Sequence, residues 1–157
     1  MQARRMDKAI EVSKKLASIA PKEQKPQYAF QAALLLVQGG KKDEAVKVME
    51  DIVGNEPVTD RVATLLATIY EQAGKLELAG KSLRAAASIS KRPEEKITLS
   101  LRAADIDRRR KDYKTAEETL RAVLKEFKDD KNAQDSARAA LAQIYREQGK
   151  EKELKFD

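Results

Sequence analysis

The stretch DRRRKDYK at 107–114 is the densest group of basic side chains in the sequence. Clustered arginine and lysine can contact phosphate, so binding of a nucleic acid or an anionic membrane through residues 108–111 is one chemistry open to it. The stretch lies at a predicted turn between two helices, where solvated charge is usual, and only Tyr113 offers a nearby stacking surface. The basic turn is therefore an alternative site, and a solvated turn is the simpler interpretation.

Residues suited to catalysis are scarce. The chain has no histidine and no cysteine, which removes the commonest general base and any thiolate metal site. Asp105 and Asp107 are two residues apart on a predicted helix, so they do not share a face. Asp129 and Asp130 lie in a predicted loop without further ligands, and QGGKK lacks the rest of a phosphate-binding loop. We therefore expect no enzyme, no metal and no cofactor.

Length and composition indicate one all-α domain. The chain has 157 residues, of which 41% are hydrophobic, and its 32 basic and 26 acidic side chains leave a net charge of +6. Ala, Leu, Lys, Glu and Arg dominate, and all favour helices. No apolar run approaches the roughly 20 residues that span a bilayer, and the first residues lack the apolar core of a secretory signal. The sequence names no compartment, and a soluble, cytoplasmic chain is the expectation.

Two series of alanines recur at a period of 34 to 38 residues. The first series is Ala9, Ala45, Ala79 and Ala116, and the second, twelve residues upstream of its last three members, is Ala33, Ala67 and Ala104, followed by Ala142. Turn residues follow the second series at Gly40, Gly74, Lys111 and Gly149. Pro21 and Pro57 close two of the units, and Pro93 is placed to start a helix.

This pattern predicts a helix hairpin used repeatedly. Apolar residues recur at helical spacing in both halves of each unit. The glycines stand where a first helix ends in a left-handed cap, and small residues are needed where two helices cross closely. One such unit cannot bury its own apolar faces, so the units must stack. Gly80 lies inside a predicted helix, where either a close neighbouring helix or drift at an exposed site would explain it.

The pattern of a small residue at place 8, an aromatic at place 11, Ala at place 20 and Pro at place 32 resembles the tetratricopeptide repeat. The resemblance covers almost the whole chain and implies a right-handed α–α superhelix of stacked antiparallel hairpins. The departures are the absence of Trp, Asp107 in place of the aromatic, Lys111 in place of the turn glycine, and Lys91 and Lys128 in place of the closing proline. The third unit is the least typical.

The phase of the repeat divides the chain into a partial repeat 1–25, repeats 26–59, 60–96 and 97–134, and a partial repeat 135–157. The first residues form the second helix of a unit, with Ala9, Ser13 and Leu16 at the aligned positions. The last ones, KEKELKFD, begin a second helix that is not completed. We expect either a fragment of a longer protein or ends that pack against a neighbouring copy.

The resemblance also implies where a partner would bind, because the first helices of such hairpins line a concave groove. Groove positions hold apolar anchors at one end and polar residues further along. These residues are Phe30, Leu34, Val37, Arg61, Thr64, Thr68, Arg102, Asp105 and Arg109. The carboxylate-binding pattern of chaperone-cofactor members is not matched, because only Arg102 fits it.

The expected function is therefore a non-catalytic scaffold that holds another protein, by an amphipathic or acidic segment, in its groove. Two alternatives stay open at this stage. One is self-association as a homo-oligomer through the open repeat ends. The other is an anionic partner on the basic turn 108–111, which the moderate and mixed surface charge disfavours.

Overall fold

The computed structural model describes residues 2–54 and 59–156. Within these residues the chain forms eight α-helices and one 3₁₀ turn. The helices are α1 Gln2–Ile19, α2 Lys25–Gln38, α3 Lys42–Val53, α4 Asp60–Gln72, α5 Leu76–Ile89, α6 Pro93–Arg109, α7 Tyr113–Glu126 and α8 Lys131–Glu147. Pro93 begins α6, as predicted. Pro57, which was predicted to close a unit, lies outside the described residues.

Each helix packs on the next one in the chain, from α1 through α8, which builds a stack of hairpins. Polar side chains at the helix starts fix several boundaries by accepting a free backbone N–H. Thr59 accepts from the amide of Val62 at 3.1 Å, and Asp130 accepts from the amide of Ala133 at 2.9 Å. The all-α hairpin stack is the predicted fold class. The boundaries between units remain a prediction, because helix bounds alone do not fix them.

Left-handed backbone ends the first helix of each unit, as predicted. Gly40 and Gly74 both have φ of 78°, and Gly149 has φ of 68°. Lys111 takes the same conformation with φ of 64°, although this region is unfavourable for a residue with a Cβ. Its amide donates to the carbonyl of Arg108 at 2.9 Å. The hairpin geometry is therefore kept in the third unit despite the missing glycine.

The two ends of the described chain differ from the units between them. In α1, Ile10 and Ala17 are buried, whereas Ala9 and Leu16 are exposed. The reason is that α1 packs on α2 and lacks, within the described residues, a first helix to cover its aligned face. At the other end, Glu151–Glu153 forms a 3₁₀ turn and Leu154 is extended, so a second α-helix does not begin there.

The core divides into two apolar clusters. The first runs from α1 to α6 and includes Leu36, Leu66 and Leu83. The second joins α6, α7 and α8 around Leu120 and Leu141. Helix α6 contributes to both, since it packs on α5 and on α7. In contrast, α4 and α6 make no close backbone contact within the described residues. Polar side chains bridge that gap, and they are central to the site described next.

Candidate functional site

The first helices of the hairpins form the inner surface of the stack. Helix α2 packs on α4 and α6 packs on α8, whereas among the second helices only α1 and α3 come close. Helices on the inside of a curved stack lie closer together than those on the outside. The surface formed by α2, α4, α6 and α8 is called the inner surface below, and all the predicted groove residues lie on these four helices.

One end of the inner surface is apolar. Phe30, Leu34 and Val37 occupy places i, i+4 and i+7 of α2, so they follow one face of the helix. All three are half-buried, and they pack against the first apolar cluster. Ala33 and Leu36, which lie beside this stripe on the helix surface, are fully buried. The stripe therefore lies at the edge of the core and presents part of its apolar area to solvent.

Next to this stripe, the side of α4 is polar, and its threonine hydroxyl groups donate hydrogen bonds within their own helix. Thr64 donates to the carbonyl of Asp60 at 2.7 Å, and Thr68 donates to the carbonyl of Thr64 at 2.9 Å. Arg61 is exposed, and its guanidinium donates to the side-chain oxygen of Gln27 at 3.1 Å. Arg61 is thus joined to α2 through a neutral partner and keeps its full charge at the surface.

Three charged residues bridge the gap between α4 and α6, and sequence reasoning missed one of them. Arg102 donates to Glu71 at 2.9 Å and to the hydroxyl of Thr68 at 3.1 Å. Arg109 donates to the second oxygen of the same carboxylate at 2.5 Å. The structure thus joins Thr68, Arg102 and Arg109 around Glu71, which was not among the predicted partner-binding residues. A carboxylate 31 residues before Arg102 and 38 before Arg109 gave no sequence signal for this contact.

The pKa of Glu71 is lowered from its ordinary value of 4.5. Burial by itself would raise it, but hydrogen bonds and charge from Arg102 and Arg109 outweigh burial. The carboxylate of Glu71 is therefore protonated more readily in the unfolded chain than in the folded chain. Because the unfolded chain binds this proton more readily, folding stability falls as the pH decreases from the ordinary pKa towards the pKa in the folded chain. The ion pairs of Glu71 with Arg102 and Arg109 therefore stabilise the α4–α6 joint fully only above the pH range between the folded and the ordinary pKa.

We expect the Glu71→Gln variant to lose less stability than the native chain when the pH is lowered through this window. Urea unfolding followed by circular dichroism at a series of pH values measures the difference. Glu118→Gln is the matched control, because it removes the same charge from an exposed position on α7. Parallel pH profiles for the native chain and Glu71→Gln would show that Glu71 does not stabilise the α4–α6 joint.

The arginines of the basic turn are compensated by the chain's own carboxylates. Arg108 contacts Asp105 at 2.8 Å and Glu147 of α8 at 2.6 Å. Arg110 contacts Asp112 at 3.1 Å and also approaches Asp107 and Glu77. With Arg109 held by Glu71, the three arginines of the run all make intramolecular ion pairs. Asp105, predicted as a groove residue, is exposed and serves as a partner of Arg108.

The joint between α5 and α6 contains a buried ion pair where the joint between α3 and α4 has a tyrosine. Tyr70 of α4 donates to Glu50 of α3 at 2.6 Å. One repeat later, Asp107 of α6 stands in the place of Tyr70, and Arg84 of α5 stands in the place of Glu50, with which it shares the repeat position. Arg84 donates to Asp107, whose side chain is fully buried. Burial raises the pKa of Asp107, and the charges of Arg84 and Arg110 oppose that effect.

Gly80 is explained by the same joint. It is buried on α5, and a Cβ there would lie 2.9 Å from a carboxylate oxygen of Asp107 and 3.4 Å from a guanidinium nitrogen of Arg84. Of the two explanations offered for Gly80, close approach of a neighbouring helix is therefore the correct one. The approaching group is the side chain of Asp107 on α6. Glycine at this position makes room for the buried ion pair.

The fold and the inner surface define a helical-repeat protein built from stacked hairpins. The family model of the tetratricopeptide repeat matches residues 30–94. Among solved structures, a mutant of MamA is 17% identical and has a TM-score of 0.53, with 98% of this chain and 93% of that chain covered. Among curated proteins no match was found. Residues 30–94 thus resemble tetratricopeptide repeats in sequence, and the described helices on both sides continue the same hairpin fold.

Tetratricopeptide repeats generally mediate protein–protein interactions, which is the class of function that the match over residues 30–94 supports. Within residues 2–54 and 59–156, no cluster of three or more acidic side chains is arranged to hold a metal ion. No helix of the described part of the chain is both long and apolar enough to cross a membrane.

Proposed function

We propose that this chain is a non-catalytic interaction module that binds a segment of another protein on its inner surface. The segment has an apolar face that contacts α2 and an acidic group that contacts α4 and α6. The observation that carries this proposal is the half-buried stripe of Phe30, Leu34 and Val37, which leaves apolar area uncovered beside a polar surface. The match of residues 30–94 to the tetratricopeptide-repeat model supports the same class of function.

The apolar stripe suits a helical or extended partner segment. Side chains at i, i+4 and i+7 present a continuous ridge along α2, and an amphipathic helix can place its own apolar face along such a ridge. Burial of the exposed parts of these side chains would supply the affinity. The neighbouring Thr64 and Thr68 already donate within α4, and the hydroxyl oxygen of Thr68 also accepts from Arg102, so Thr64 is the one of the two whose oxygen has no such contact.

The charged part of the inner surface favours an acidic group. Glu71 is the shared partner of two guanidinium groups, so the cluster keeps an excess of positive charge. Arg61 adds a further positive charge whose contact is the neutral Gln27. The side chains of Arg102 and Arg109 remain 34% and 40% exposed, so a partner carboxylate can reach them without displacing Glu71. Arginine binds carboxylates in a directional, often bidentate manner.

Photo-crosslinking from two positions tests where a partner binds. A photoreactive amino acid replaces Leu34 on the inner surface in one variant and Leu78 in the other. Leu78 is the matched control, because it is a 40% exposed leucine on the outer helix α5. In lysate of the source organism, we expect a defined protein to crosslink from position 34 and not from position 78. Crosslinking from both positions to the same set of proteins would contradict binding on the inner surface.

The Phe30→Glu, Arg102→Glu double variant then tests the two ends together. It should lose the crosslinked protein in affinity capture, whereas Leu78→Glu should retain it. Circular dichroism establishes that both variants are folded before the comparison. Equal capture by the native chain and the folded double variant would direct attention to the outer helices and the ends of the stack.

A further inference from the structure

An apolar stripe on α1 is left uncovered. Val12 is 50% exposed, Leu16 is 37% exposed and Ile19 is 70% exposed. With Ala9, these residues follow one face of the helix at spacings of three and four, opposite the face on which Ile10 and Ala17 are buried against the core. No described residue of the chain covers the stripe.

Elsewhere the chain shows what covers this face of a second helix. The residues equivalent to Ala9 are Ala45, Ala79 and Ala116, and all are fully buried. Helices α3, α5 and α7, which carry them, each pack closely on the first helix of the same unit. Those first helices carry Ala33, Ala67 and Ala104, which are exposed by no more than 1%. The covering element is therefore a first helix with a small residue at the crossing.

Helix α8 is a first helix whose matching face is only partly covered. Its small residue at the crossing is Ala142, which is half-buried instead of fully buried. Tyr145, one turn further on, is also half-buried, whereas its equivalents Leu36 and Asp107 are fully buried. Within the described residues, no first helix covers the aligned face of α1, and no α-helix packs on α8 from its C-terminal side.

We propose that α1 of one copy of this chain packs on α8 of a second copy and completes a hairpin between them. Ala9 then meets Ala142 in the register that the three hairpins within the chain already use. The two surfaces differ, so the contact is heterologous and leaves one free α1 and one free α8 at the ends of every assembly. Successive copies continue the stack in the same direction.

The C-terminal segment 151–156 competes for the same place on α8. It runs back along the helix after the turn at Gly149, and Leu154 packs against the second apolar cluster. Arg121 of α7 donates to the backbone carbonyl of Lys155 at 2.9 Å, and Phe156 lies against Arg138 with 5.4 Å between the guanidinium carbon and the ring centre. This short segment makes far fewer apolar contacts than a helix would, so a second copy can displace it.

Removal of residues 151–157 is therefore expected to strengthen self-association. If the segment covers α8 in about nine-tenths of the molecules, its removal tightens the apparent dissociation constant about tenfold. Sedimentation velocity over a wide range of concentration measures this change. A monomer at every concentration, for both the native chain and the shortened chain, would overturn the proposal.

Mixing two variants tests the heterologous geometry. Leu16→Glu blocks the α1 surface and Ala142→Glu blocks the α8 surface, so each variant alone should be monomeric. Their mixture should form a one-to-one heterodimer and nothing larger, because each variant retains the surface that the other lacks. Association of Ala142→Glu alone would indicate contact between two α1 helices and overturn the proposal.

Controls separate this result from loss of folding and from binding on the inner surface. Leu78→Glu and Ala139→Glu place the same charge at exposed positions of α5 and α8, and both should associate like the native chain. Thermal unfolding shows whether each variant is folded. The Phe30→Glu, Arg102→Glu double variant should also associate normally. If it does not, the inner surface and not the α1 stripe is responsible for self-association.

Discussion

Replacement of Gly80 by alanine is expected to destabilise the chain, although alanine is favoured over glycine in helices by about 1 kcal/mol. The added Cβ would lie 2.9 Å from Asp107, whose carboxylate is held by Arg84 and Arg110 and cannot move away freely. Overpacking of this kind costs about 1–3 kcal/mol. We expect a net loss of about 1 kcal/mol, measured by urea unfolding.

The sign of the effect depends on Asp107, so a double-mutant cycle tests the cause. In an Asp107→Ala background the obstructing oxygen is gone, and Gly80→Ala should then stabilise by about 1 kcal/mol through helix propensity. A stabilising effect of Gly80→Ala in the native background would show that the two helices do not constrain this position. Equal effects in the two backgrounds would assign the loss to another contact.

Arg84→Ala is expected to have the larger effect, a loss of about 3 kcal/mol in the free energy of unfolding. The side chain of Asp107 is fully buried, so removal of Arg84 leaves a buried carboxylate with Arg110 alone. Breaking a buried ion pair from one side is costly because the remaining charge is not resolvated. Arg61→Ala, at an exposed arginine on α4, is the matched control and should change stability little.

Replacing both partners should cost much less than removing one. In the Arg84→Leu, Asp107→Leu variant the joint is apolar, as it is at Leu36, which occupies the place of Asp107 in the first unit. Apolar substitution of a buried ion pair is commonly neutral or stabilising. A double variant as unstable as Arg84→Ala would contradict this account, since it would show that packing volume and not the unpaired charge determines the loss.

The buried pair also shows how far the repeat could be interpreted without coordinates. Asp107 was recognised as a departure from the expected aromatic residue, and Gly80 was recognised as unusual inside a helix. The link between them was not made, because a helical repeat position gives no information on which side chain of the preceding helix it meets. Comparing repeat positions would not have supplied the link, because Arg84 and Arg121 both occupy the place of Glu50, and Arg121 contacts Tyr145 and not an aspartate.

The sequence by itself determined the hairpin repeat and its left-handed turns. These features depend on local rules, namely helical spacing of apolar residues, glycine after a first helix and proline at a helix start, which act within a few residues. Even Lys111 could be assigned to the turn position, because its neighbours set the phase. The conformation φ = 64° at that lysine agrees with the position and not with its residue type.

Only the tertiary structure decided how the charges are used and what the ends of the chain expose. Glu71, Arg102 and Arg109 come together because α4 and α6 lie side by side with a gap that long side chains span. Which face of α1 is buried depends on its packing against α2 and α3, so Ile10 is inside and Leu16 is outside. Such contacts join residues 20 to 40 positions apart, and helical periodicity specifies the face of a helix but not the partner that this face meets.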